Sequence, residues 1–308
     1  MTTDLDQEVQ KQAPTGSKNA YVEVLRPINC AFGALTVLIG ILNARPDYTR
    51  IATWLVMAGG LVVYFIVAGA SNLINDICDV KIDEINRPAR PIPSGRISLA
   101  SARRYFFVLC AVAVILSIVD GLFTPNDILI PVFTAFFLWV GYMYARRLKA
   151  AGFAGNLTVG ISFSFGIPFG SLFVVSVTSI PPQIFYFFAT SALLLVSREL
   201  VKGMEDMEGD RKFNIRTVAN VRGTRTSAAM SICFSIAAIV TFTLPAFYLI
   251  FRITFRIMMI LGDAAVVASI AIIAKDKDSK KNQKLASLAL KAGAFLGLVA
   301  YVVAPLLP

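Results

Sequence analysis

Nine apolar segments, each close to the length that spans a bilayer, leave this chain few ways to fold. They run over residues 23–43, 51–77, 100–121, 127–146, 153–175, 182–203, 226–250, 253–274 and 284–305. A helix needs about 20 mostly apolar residues to cross roughly 30 Å of hydrocarbon. Lipid offers no partner to a backbone N–H or C=O, so only helices and closed barrels can span it. Segments this long select helices. A mean hydropathy of +0.70 and a 56% hydrophobic content lie far above a soluble domain. The expected fold is therefore all-α, a polytopic membrane bundle of nine transmembrane helices. Residues 1–20 are polar and lack the apolar core of a signal peptide. They read as a lead-in to a single transmembrane domain over 21–308.

The formal charge of +10 is topological. With the N-terminus in the cytoplasm, all of the 29 Lys and Arg except Arg45, Arg50, Arg252 and Arg256 fall on the cytoplasmic face. The positive-inside rule thus sets the N-terminus in and the C-terminus out of a multi-pass cell-membrane protein. Basic residues that border apolar segments do not form a nucleic-acid patch, and no feature demands a protein partner. Cys30, Cys78, Cys110 and Cys233 lie in or beside apolar segments without CxxC spacing, and read as small buried hydrophobes. The chain has no histidine. That excludes His-ligated zinc or haem and a His general base.

Two acid-rich stretches end long apolar segments: NLINDICDVKIDEINRPARPIPSG from Asn72 and SRELVKGMEDMEGDRKFNIRTVANVRG from Ser197. Acids beside a bilayer are costly and mark function. Asn72, Asp76, Asp79 and Asp83 are spaced four, three and four residues, within roughly 60° of one another on a helix. Asp206 and Asp210 are four apart, with Glu199 on their stripe. Oxygen ligands without histidine suit Mg²⁺, which binds through one or two carboxylates plus phosphates. Two such clusters facing one cavity would hold metal ions bridged by a diphosphate, with the active site on the cytoplasmic side.

The two stretches repeat. Asp83 and Asp210 are 127 positions apart; Asn86 and Asn214, and Gly95 and Gly223, are 128 apart. Two related four-helix units plus one helix is the simplest organisation, with the site at the repeat interface. The loop RPARPIPSGRIS reads as extended and stiff, since its prolines disfavour helix. Its Arg87 and Arg90 are candidates for phosphate oxygens, as are Arg146 and Lys149 in the connection after residue 146, and Lys202, one turn before Asp206. Arg26 and Asn29 enter the first apolar segment and are candidates for the second substrate. Asn75 lies about 60° from the Asn72–Asp76 line. Pro168 and several glycines imply a kink in segment 153–175.

The NxxxDxxDxxxD pattern at Asn72–Asp83, the NRPxRPIPSG loop at Asn86–Gly95 and the DxxxD pattern at Asp206–Asp210 resemble the UbiA superfamily of intramembrane prenyltransferases, over nearly the whole chain. The resemblance implies a nine-helix bundle with a central cavity that uses Mg²⁺ to ionise a prenyl diphosphate. It carries metal ligation to Asn72, Asp76, Asp79, Asp83, Asp206 and Asp210, and the basic residue before the second motif to Lys202. RELVKGMEDMEGD and NRPARPIPSGRIS are most similar to archaeal digeranylgeranylglyceryl phosphate synthases, which join a geranylgeranyl group to geranylgeranylglyceryl phosphate. One departure is that Lys202 is followed by Gly203, where many relatives carry an aspartate.

The implied partners are a prenyl diphosphate donor, a lipophilic acceptor and the bilayer. An aromatic acceptor, as in quinone or chlorophyll-type synthesis, is the alternative. A transporter with paired repeats is a more distant one.

Overall fold

The structure, a computed structural model, describes residues 19–212, 216–248 and 253–305. All of its regular elements are helical: α1 (Ala20–Glu23), α2 (Pro27–Asn43), α3 (Ile51–Cys78), α4 (Val80–Asn86), α5 (Leu99–Gly121), α6 (Leu129–Arg146), α7 (Phe153–Ser164), α8 (Gly166–Ser171), α9 (Pro182–Glu205), α10 (Met207–Lys212), α11 (Val218–Thr243), α12 (Pro245–Tyr248), α13 (Ile253–Lys275) and α14 (Lys280–Val303). Among the described residues seven helices are long and apolar enough to cross a membrane: α3, α5, α6, α9, the α11–α12 stretch, α13 and α14. Their outer faces carry Trp54, Phe107, Ile115, Trp139, Ile260 and Leu288. Helices that are apolar on both inner and outer faces suit lipid.

Two of the nine expected segments depart from a single spanning helix. The first is divided: α1 stops at Glu23 and α2 starts at Pro27, whose missing N–H costs nothing at a first helical position. Between them Arg26 takes a left-handed backbone with φ 56°. The resulting α2 has 17 residues. The fifth segment is the kinked one. α7 and α8 part at Phe165, because Pro168 has no N–H for the Ser164 carbonyl and its ring crowds it. The short α8 then lies backbone to backbone on α2. A Cβ on Gly40 would come 1.9 Å from the Ile167 carbonyl oxygen, and one on Gly170 2.1 Å from that of Val37. Within lipid, such close approach supplies the attraction that water would otherwise drive.

α3 packs on α2, α5 and α6, whereas α9 packs on α7, α11 and α14. α2, α8 and α14 join the two groups, sealed by Ile39, Ile167, Phe187, Phe255 and Tyr301. Two sequence expectations need correcting here. Cys78 and Cys233 are exposed, not buried, while Cys30 is buried and Cys110 half-buried. The 87–98 loop is a chain of tight turns rather than an extended strap, with Ser94 N–H donating to Arg90 O and Ile97 N–H to Pro91 O, both at 3.0 Å. Its Ile92 and Ile97 tuck into the core against Val24 and Leu25, and Arg96 grips Glu23 through two bonds of 2.7 and 3.0 Å.

Candidate active site

Both acid-bearing helices break at an aspartate. Asp79 stands alone between α3 and α4 with φ −92° and ψ 5°. Asp206 stands between α9 and α10 with φ −89° and ψ 2°. Each donates its N–H back four residues, to Asn75 O or Lys202 O, at 2.9 Å. Each then accepts from the aspartate four residues on, Asp83 at 2.9 Å and Asp210 at 3.0 Å. The unbroken helical stripes expected through Asp83 and Asp210 are therefore corrected. A single residue near the bridge region re-aims the last carboxylate of each motif. The repeat itself extends to backbone shape: Gly95 and Gly223 share a left-handed φ, 75° and 83°. Asn214 lies outside the described residues.

The first motif is buried and charge-compensated by this chain's own cations. Asp76, Asp79 and Asp83 are all buried. Asp76 Oδ1 accepts from Arg26 Nη2 and, at 3.1 Å, from Arg90 Nη1. Arg90 Nη1 also reaches Asp83 Oδ2 at 2.6 Å. Lys149 Nζ reaches Asp79 Oδ2 at 2.5 Å. The tie to Asp76 holds Arg26 in its left-handed conformation, which costs a non-glycine residue about 1–2 kcal/mol. Asn72 turns its amide to Leu25 O at 2.9 Å.

The second motif differs. Asp206 and Lys202 are exposed and Asp210 half-buried. Neither aspartate makes a side-chain ion pair among the described residues. Burial lifts the Asp210 carboxyl above the usual carboxylate range; the Asp206 charge adds to this, while Lys149 and Lys202 oppose it. Lys149 thus faces both motifs. Among the described residues no three acids are gathered tightly enough to share one cation.

A cavity of ≈ 480 Å³ opens beside these groups. Its body is apolar, with Phe133, Phe137, Phe165 and Val67. Its polar end has Arg26, Asn29, Asn72, Asn75, Tyr144 and Glu199. Of the expected site residues, the structure brings Arg26, Asp76, Asp83 and Arg90 into one network and pairs Lys149 with Asp79, while Asn72 bonds the Leu25 carbonyl beside Arg26. It leaves Arg87 exposed and without an ion pair among the described residues. It stacks exposed Arg146 over the Tyr142 ring at 5.1 Å.

Residues 33–299 match the model of the UbiA prenyltransferase family. The chain belongs to this family. It is 34% identical to the digeranylgeranylglyceryl phosphate synthase of Methanosphaera stadtmanae over 289 residues, 94% of this chain and 100% of that one. It is also 34% identical to the enzyme of that name from Korarchaeum cryptofilum, over 94% of this chain and 98% of the relative. A solved structure concerned with digeranylgeranylglyceryl phosphate synthase in membranes superposes with a TM-score of 0.76 at 28% identity, covering 93% of this chain and 97% of that one. A UbiA homolog from Archaeoglobus fulgidus bound to DMAPP and Mg²⁺ shares the fold, with a TM-score of 0.66 at 16% identity over 90% and 99% of the two chains.

This UbiA prenyltransferase is accordingly an enzyme of the membrane. The residue that sequence reasoning missed is Tyr144, which reads as part of an interfacial aromatic belt. It instead lines the cavity, within electrostatic reach of both Asp79 and Glu199. The signal was present: Phe133, Phe137, Val140, Gly141 and Tyr144 recur at helical spacing on one face of α6, and all line the cavity.

Proposed function

We propose that this UbiA prenyltransferase moves a geranylgeranyl group from its diphosphate to the free hydroxyl of geranylgeranylglyceryl phosphate, with Mg²⁺ as cation. The observation that carries the reading is a cavity of largely apolar body whose wall also includes Arg26 and Asn72, next to the first acidic motif, and Glu199, on the helix that leads into the second. Its volume is in the range of small-molecule sites, and the archaeal relatives are named for this reaction.

The residues suit the metal. Asn72, Asp76, Asp79, Asp83, Asp206 and Asp210 offer hard oxygen donors, and the unpaired Asp206 and Asp210 carry charge without a side-chain counter-ion among the described residues. When bound, Mg²⁺ neutralises and orients the diphosphate leaving group. The chain's own part is to hold the other charges. Arg26, Arg90 and Lys149 rest on carboxylates and present the donors that phosphate oxygens need. Lys202, Arg87 and Arg146 stand at the outer rim. Phe137 and Phe165 wall the space for the tail and offer ring faces to an allylic cation. The apolar body keeps water from that cation.

For the topology we take α2 and the α7–α8 pair as the two crossings beyond the seven long helices. Nine crossings then make two related four-helix units plus one helix, as one domain over 21–308 after a polar lead-in. Positive-inside charge supports a cytoplasmic N-terminus, an external C-terminus and an active site toward the cytoplasm. The test is to incubate purified protein and Mg²⁺ with geranylgeranyl diphosphate, offering the glyceryl phosphate and aromatic acceptors separately. Prenylated glyceryl phosphate is expected. Product with the aromatic acceptors alone overturns the reading.

A further inference from the structure

We infer that Glu199 is the group that accepts the proton of the acceptor hydroxyl, an inference that rests on the prenyl-transfer reading above. Among the described residues, Glu199 is the one carboxylate that lines the ≈ 480 Å³ cavity. The motif aspartates are not part of its wall. Glu199 is also at the reacting end. Arg26 and Asn72 line the same cavity, and Arg26 donates to Asp76 of the first motif. The carbon that leaves the diphosphate must lie near that end, because the diphosphate binds where the charges are.

Its own partner leaves Glu199 free to act. Oε1 accepts from Arg198 Nη1 at 3.1 Å, and Oε2 has no partner among the described residues. The side chain keeps 22% exposure and lines a cavity whose other walls are largely aromatic and aliphatic, with Arg26, Asn29, Asn72 and Asn75 as neutral or cationic polar groups. Arg198 pairs with Glu199 through Nη1, and its Nε is buried without a hydrogen-bond partner. It neutralises the neighbouring charge and holds Glu199 as a positioning residue.

The step balances. The acceptor O–H bond breaks and its proton passes to a Glu199 oxygen. The oxygen lone pair forms the new C–O bond to the first prenyl carbon. The bond from that carbon to the diphosphate breaks, and its electron pair leaves with the diphosphate. No oxidant or further reactant is required. The chain has no histidine to compete for the role.

The experiment compares wild type with Glu199→Gln and Glu199→Asp in detergent, with Mg²⁺, geranylgeranyl diphosphate and geranylgeranylglyceryl phosphate. Prenyl transfer and diphosphate release are each measured. Glu199→Gln should lower kcat for transfer about 10²-fold, leave the donor KM within about twofold, and let diphosphate release to water continue without product. Glu199→Asp, keeping a carboxylate, should recover part of the rate. Wild-type transfer by Glu199→Gln overturns the inference while leaving the prenyl-transfer reading intact. So does a Glu199→Gln protein that loses donor binding along with turnover, or a Glu199→Asp protein no better than it. If wild type transfers to no acceptor, both readings fall together.

Discussion

The two acidic motifs share a backbone and differ in what surrounds it. Each interrupts a long helix at one aspartate of nearly the same φ and ψ, and each resumes with a short helix that presents a second aspartate. The first is buried and its charges rest on Arg26, Arg90 and Lys149. The second is open, with an exposed Asp206 and a half-buried Asp210. Equal backbones have thus been given unequal electrostatic support. At the first motif, carboxylates taken out of water need partners inside the protein. At the second, water supplies that support until a ligand arrives. The difference teaches that the same sequence pattern can serve one half of the site as structure and both halves as chemistry.

The largest effect should come from removing a carboxylate on either side. Asp76→Ala and Asp206→Ala should each lower prenyl transfer more than 10²-fold, measured with labelled donor, as expected where charge stabilisation of a leaving group is lost. Lys149→Met should cost about tenfold or more in the same assay, because Lys149 pairs with Asp79 and its charge also acts on Asp210.

Stability should separate the motifs where activity does not. Asp76→Ala strands Arg26 and leaves Arg90 with Asp83 alone, and should cost ~2–4 kcal/mol in detergent unfolding, somewhat below a fully buried pair since both arginines keep partial exposure. Asp206→Ala should stay within about 0.5 kcal/mol. Equal losses from both would break the comparison.

Gly95→Ala and Gly223→Ala should each cost ~1–3 kcal/mol in detergent unfolding, because a Cβ meets nothing within 4 Å at either site and only the positive φ is strained. A loss-free alanine at either position would argue against the backbone turn at that motif.

The smallest effect is in pH. The Asp210 pKa is raised in the fold, chiefly by burial. Its contribution to stability is therefore full below the unfolded value and is lost as pH rises through the folded one. Melting curves in this acidic window, without divalent cation, should show wild type losing stability relative to Asp210→Asn as pH rises. Bound Mg²⁺, which favours the ionised form, should abolish that loss.

Much of this was legible in sequence, in unequal parts. Apolar length marked most of the helices, and Pro168 marked the break between α7 and α8. The offset of Asp83 from Asp210 marked the repeat, which reached even the φ of Gly95 and Gly223. The breaks at Asp79 and Asp206 were not legible, since neither residue is a Gly or Pro and each adopts a conformation that the surrounding structure selects. Nor were the counter-ions. Arg26 is 50 positions from Asp76 and Lys149 is 70 from Asp79, separations that only packing can close. The compact 87–98 loop also escaped, because burial of Ile92 and Ile97 overrode the extended preference of its prolines.

The most direct test is a Mg²⁺ titration of geranylgeranyl transfer by the purified enzyme, run in parallel on wild type, Asp76→Asn and Asp206→Asn. The account predicts no wild-type product after chelation, product restored as Mg²⁺ is added, and no recovery in either variant although both remain folded. Transfer that survives chelation, or near-normal turnover in either variant, would contradict it.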